Sequence, residues 1–172
     1  MVRLVGKQSE RSATLHRWLT PYQAVNAFNP SVRSRGDQVW VAFRHWGSGR
    51  RPPFEASLLS GSWDADSPAI VNLTEHARRF DVQNVADPKL LELEGEIWLT
   101  FNDGWSATEN QLYLMRVTPS LGRPHRCVYG PRQAVEKNWA FFSSEGGIRA
   151  LYSLNPVRVL GADMPEATDS SI

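Results

Sequence analysis

Asn29, Asp87 and Asn138 share one column when three stretches of this chain are stacked without gaps. The spacings are 87 − 29 = 58 and 138 − 87 = 51 residues. Glu136 and Lys137 stand directly before the third member. Asp87 and Glu136 are the carboxylates of the set, and two carboxyl groups facing one ligand can do general acid and base work. Asn29, Lys137 and Asn138 would add amide groups and a cation. The column also has a plainer reading, because Asn and Asp favour turns, above all before proline. Pro30 and Pro88 follow the first two members, so turn and site readings stand side by side there. No proline follows Asn138, which favours the site reading for 136–138.

The elements that must position this column can be read around it. Residues 85–105, VADPKLLELEGEIWLTFNDGW, read as an Asp-Pro turn, a strand, a tight Glu94-Gly95 hairpin and a second strand. That second strand ends in Asn102-Asp103-Gly104. Residues 29–46 and 138–156 follow the same plan. Val39, Ile97 and Ile148 form another column, as do Phe43, Phe101 and Tyr152. A period near fifty, with two to four strands per unit, is the mark of a β-propeller blade. The inner strand of every blade lines the central channel, so the polar column would converge near the axis.

The expected fold is therefore all-β, built of four-stranded antiparallel blades. About two and a half blades of a five-bladed propeller are present, over 26–80, 84–134 and 136–162. A lead-in covers 1–25 and a polar tail 163–172. Strands are expected over 28–33, 38–44, 54–59 and 68–73 in the first blade. They follow over 88–93, 96–102, 111–118 and 124–129 in the second, and over 139–143, 147–154 and 157–160 in the third. Asn72 with Glu75 three residues on resembles a capping box, which predicts a short helix over 73–80. In the lead-in, Leu15, Trp18, Leu19 and Tyr22 fall at i, i+3, i+4 and i+7. That spacing suits one or two helical turns, while Pro21 favours a packed irregular segment. An unclosed sheet edge near Leu160 would invite self-association.

Composition narrows the function classes. Net charge is +1, and basic residues occur only in short pairs such as Arg50-Arg51, so nucleic acid is not an expected partner. No stretch approaches the roughly 20 apolar residues of a membrane span. The N-terminus lacks the apolar core of a secretory signal. One cysteine, Cys127, allows no internal disulfide, so a reducing, cytoplasmic setting is expected. Its surroundings carry no nucleophile motif, and a structural thiol is the expected role. The histidines at 16, 45, 76 and 125 lack metal-ligand spacing, and no cofactor or metal is expected.

The Asn-Pro of the first blade, Ala86-Asp87-Pro88-Lys89 of the second and Glu136-Lys137-Asn138 of the third resemble the five-bladed propeller carbohydrate enzymes. These include invertase- and levansucrase-like hydrolases, arabinanase- and xylosidase-like hydrolases, and mannoside phosphorylases. The resemblance covers about 27–160. In the invertase-like families it implies a blade-one Asp as nucleophile, a blade-two Asp in Arg-Asp-Pro as transition-state stabiliser, and a blade-three Glu as acid/base. Asp87 matches the second role, with Ala86 in place of the Arg. Glu136 matches the third. Asn29 stands where the nucleophile would be, and an amide cannot form the glycosyl ester of a retaining mechanism.

The phosphorylase-like members imply another scheme, in which Asp87 is a general acid and basic side chains hold phosphate. Arg44, His45, Lys89 and Lys137 are the candidates, although for Arg44 a surface charge is the plainer reading. Trp46 and Trp105 end equivalent segments and suit either sugar stacking or packing between blades. Asp103, beside Trp105, joins the expected substrate ligands. The expected function is thus glycosidic-bond processing, by hydrolysis or phosphorolysis, with carbohydrate as partner and phosphate as a second ligand in the phosphorylase-like case. The alternative is a non-catalytic propeller that binds glycan or protein, or an inactive fragment.

Overall fold

The structure, a computed structural model, describes residues 2–23, 26–47, 54–104, 109–129, 133–135, 139–145 and 147–161. Side chains of the first helix are described from Glu10 to Tyr22. The chain is all-β apart from two helices, and its strands form three antiparallel sheets. The first sheet runs β1 (Phe28–Arg35), β2 (Gln38–Trp46), β3 (Phe54–Ser62) and β4 (Ala69–Asn72), in that order. The second runs β5 (Ala86–Leu93), β6 (Glu96–Asn102), β7 (Leu112–Arg116) and β8 (His125–Cys127). The third has β9 (Ala140–Ser144), β10 (Gly147–Leu154) and β11 (Val157–Gly161). Each sheet is a blade-like up-and-down meander.

β2 shows why such strands are apolar on both sides. Val39, Val41 and Phe43 point to one face, Trp40 and Ala42 to the other, and all five are buried. The second face packs on the second sheet through Leu90, Ile97, Leu99, Phe101 and Met115. Helix α2 (Leu73–Arg78) closes one side of this core with Leu73 and Ala77. Asn72 caps it as the capping-box pattern predicts, accepting the Glu75 N–H at 3.0 Å. Fully burying each large apolar side chain contributes about 1.5–3 kcal/mol, so this shared core joins the two sheets firmly.

The other face of the first sheet is covered by α1 (Val2–Gln23). It is a continuous helix of 22 residues, longer than the one or two turns expected. Leu15, Trp18, Leu19 and Tyr22 form its contact stripe against Val39, Val41, Phe43 and Leu59. Trp18 also donates its indole N–H to the Ala65 carbonyl at 3.3 Å. Pro21 lies in the final turn, where its missing donor interrupts little before the helix ends. The tertiary contact with the sheet outweighs the local signal against helix.

The Glu94-Gly95 turn joins β5 to β6 with φ of 52° and 77°, both in the left-handed region. Two consecutive positive φ values match the right-handed twist of a tight hairpin, and glycine takes the second without strain. The third sheet packs one face on the second through Ile148, Ala150, Phe141 and Trp139. Its other side keeps Phe142, Val157 and Val159 exposed. Among the described residues, no helix is long and apolar enough to cross a membrane.

Candidate functional site

Asn29 and Asp87 occupy the same backbone feature in two sheets. Pairing in the first sheet passes from Phe28↔Arg44 to Ser31↔Ala42, three steps on β1 against two on β2. In the second it passes from Ala86↔Asn102 to Lys89↔Thr100, again three against two. The first strand of each sheet, β1 and β5, therefore carries a one-residue bulge, at Asn29-Pro30 and at Asp87-Pro88. Proline fits there because a bulge frees the residue from donating to the ladder. Asn29 has φ 51° and Asp87 φ 49°. Left-handed backbone suits Asn and Asp better than other non-glycine residues, but the following proline disfavours α-type conformations. Such strain costs of order 1–3 kcal/mol per residue and clusters at functional sites.

The bulges turn the two side chains towards each other. Asn29 Nδ2 donates to Asp87 Oδ1 at 2.8 Å. Arg44 Nη1, at the end of β2, donates to the same oxygen at 3.1 Å. Ala86 leaves Asp87 without an adjacent arginine in sequence, and Arg44 brings a guanidinium from the neighbouring sheet. Arg44 is not the surface charge that its plainer sequence reading suggested: only 13% of its side chain is exposed. The guanidinium carbon lies 5.0 Å from the Phe28 ring and 4.4 Å from the Phe54 ring. Its Nε is buried without a hydrogen-bond partner, so aromatic faces hold the group and Asp87 takes its charge. Arg44 therefore spends its Nη1 on Asp87.

Trp46 continues this row. Its ring lies 4.6 Å from that of Phe54, and 41% of the residue is exposed. One face packs while part of the indole stays open to a ligand. His45 is internally engaged: its Nδ1 donates to the Trp46 carbonyl at 3.1 Å. Nε2 lies within hydrogen-bond distance of the Ser57 hydroxyl, at 3.0 Å.

On the other side of Asp87 a small niche of about 10 Å³, room for one water-sized group, lies between the second and third sheets. Asp87, Lys89, Thr100, Asn102 and Trp139 line it, with Phe101 and Leu112 as apolar floor. Lys89 is exposed at its mouth. Thr100 and Trp139 escaped the sequence reading, because each looks like an ordinary strand residue.

Asp103 has a different employment. Oδ1 accepts the Gln111 N–H at 2.7 Å, and Oδ2 accepts the Tyr113 hydroxyl at 3.1 Å. Tyr113 stacks on Phe101, with ring centroids 5.3 Å apart. Burial first, and the Asp103 charge second, push the Tyr113 phenol up to about 12. Asp103 thus ties the end of β6 to the start of β7. Trp105, Glu136, Lys137 and Asn138 lie outside the described residues.

Among the described residues no three His, Cys, Asp or Glu side chains group to hold a metal ion. Burial pushes the Cys127 thiol up to about 12, which leaves little thiolate near neutrality. His76 bonds the Gly122 carbonyl at 2.8 Å, a structural contact outside this cluster. No family model, no curated protein and no solved structure matches the chain.

Proposed function

We propose that the chain processes glycosidic bonds, as part of a five-bladed propeller carbohydrate-active protein, with Asp87 as its central carboxylate. The observation that carries this reading is the bonding of Asp87. Two donors from the first sheet, Asn29 Nδ2 and Arg44 Nη1, converge on Oδ1. Among the described residues, Oδ2 takes no hydrogen bond, and 38% of the side chain is exposed. A carboxylate fixed in this way is an acceptor with one oxygen left for ligand hydroxyls. The part-exposed Trp46 ring beside the cluster would stack on the apolar face of a sugar.

The same bonding favours one role over another. A general acid must donate a proton, whereas Asp87 is held as an acceptor between an amide and a guanidinium. Asp87 therefore stabilises positive charge developing at the sugar ring and holds its hydroxyls. Following the resemblance, Glu136 donates the proton to the leaving oxygen, and an external water or phosphate forms the new bond to the anomeric carbon, since the Asn29 amide cannot; the compartment is cytoplasmic. Asn29 supports a second reading, a glycan-binding scaffold without cleavage. It is an amide at the nucleophile's place, and its side chain is spent on Asp87.

The test is a screen of the chain against α- and β-linked disaccharides, with and without inorganic phosphate, beside Asp87→Asn. Cleavage by the wild type, falling about 10²–10³-fold in Asp87→Asn while the variant still melts cooperatively, at a lowered temperature because Arg44 loses its counter-charge, is the expected result. Equal turnover by both proteins removes Asp87 from the mechanism. Sugar binding without cleavage by the wild type selects the scaffold reading.

A further inference from the structure

We propose that the niche between the second and third sheets is a subsite for one neutral hydroxyl group of a sugar, read by Thr100 together with Asp87. The proposal rests on the carbohydrate reading and names the part of the ligand that this side of the site recognises.

The starting observation is a hydroxyl without a bond among the described residues. Thr100 is 6% exposed, and its Oγ1 is buried with no hydrogen-bond partner among them. An unpartnered buried polar group costs about 1–3 kcal/mol. Valine has the same shape, suits a strand equally well and would avoid that cost. Fold alone gives no reason for threonine at the centre of β6, while its neighbours Leu99 and Phe101 serve the core. The position matters as well. Thr100 lines the same niche as Asp87, so this hydroxyl shares a cavity with the carboxylate of the site.

The chemistry of the lining selects the ligand group. Asp87 supplies an acceptor, and the Thr100 hydroxyl donates or accepts. One ligand hydroxyl satisfies both, donating to Asp87 and accepting from Thr100. A phosphate or carboxylate would bring a charge against Asp87 that Lys89 alone could offset, whereas a neutral hydroxyl bonds Asp87 and Thr100 with no charge to balance. The Trp139 ring and Leu112 offer apolar surface to the C–H groups that carry such a hydroxyl.

The test compares wild type, Thr100→Val, Thr100→Ser and Asp87→Asn. The probes are methyl glycosides of glucose, mannose, galactose, xylose and arabinose, with singly deoxygenated analogues of whichever binds. Binding is read by ligand-observed NMR and calorimetry, and folding by thermal melts. Thr100→Val is expected to melt at or above the wild-type temperature and to bind at least about tenfold more weakly. Thr100→Ser restores most of that affinity. One deoxy analogue binds wild type and Thr100→Val alike, which identifies the hydroxyl. If Asp87→Asn loses binding while Thr100→Val binds as wild type does, the subsite is overturned and the carbohydrate reading stands. If the wild type binds none of these sugars, both are overturned. Should Thr100→Val fail to fold, the deoxy series on Thr100→Ser carries the test. No deoxy sugar losing affinity for wild type then overturns the subsite.

Discussion

β1 and β5, the first strands of two sheets, carry the same backbone device with opposite chemistry. Both have a one-residue bulge, a left-handed residue and a proline. At that point β1 presents an amide and β5 a carboxylate, and the two meet at 2.8 Å. The repeat supplies position twice, and the chemistry is divided between the copies. Other links between the strands serve structure. Ser31 Oγ accepts the Leu90 N–H at 2.9 Å, and Arg35 donates to the Gly95 carbonyl. The lesson is that equivalent positions in a repeat need not do equivalent work, because each blade faces a different neighbour.

Making the two bulges alike in charge should have the largest effect on folding. Asn29→Asp removes the donor to Asp87 and sets a second carboxylate beside it. We expect a loss of about 2–3 kcal/mol at neutral pH, from the lost bond to a charged group and the like-charge contact. That pair would hold a proton more tightly folded than unfolded, so the variant's stability falls as pH rises. Thermal melts from pH 4 to 7 should show its deficit against wild type widening with pH. A constant deficit would mean that the two groups do not share one electrostatic environment.

Removing the third member should do less. Arg44→Met keeps much of the packing between Phe28 and Phe54 but takes the guanidinium from Asp87. The carboxylate is more than a third exposed, so solvent takes over part of the pairing. A loss of about 1 kcal/mol in chemical denaturation is expected, with a larger proportional loss of sugar affinity as Asp87 loses its anchor. Affinity unchanged in Arg44→Met would make the ion pair purely structural.

Much of this architecture is legible in the sequence, for local reasons. Alternation and turn residues mark β6 and β10 at the bounds the structure has, and Asn72 with Glu75 marks the start of α2. The column of Asn29 and Asp87 follows from stacking the repeats, since both precede proline. What stays hidden is set by contacts between distant segments. The length of α1 depends on the first sheet, which its own residues do not announce. Arg44 reads as a charge at a strand end because Phe28 and Phe54, which bury it, come from two other strands. Thr100 reads as a routine β residue, and only the lack of a hydrogen-bond partner among the described residues sets it apart.

The central claim is that Asn29 and Asp87 share a backbone role but not a chemical one. The exchange variant Asn29→Asp/Asp87→Asn tests it, because it keeps one amide and one carboxylate in contact while reversing which sheet supplies each. Its melting temperature and its affinity for the sugar that wild type binds would be measured together. The account predicts a melt well above that of Asn29→Asp alone, with sugar affinity lost. Sugar affinity equal to wild type in the exchanged protein would contradict it.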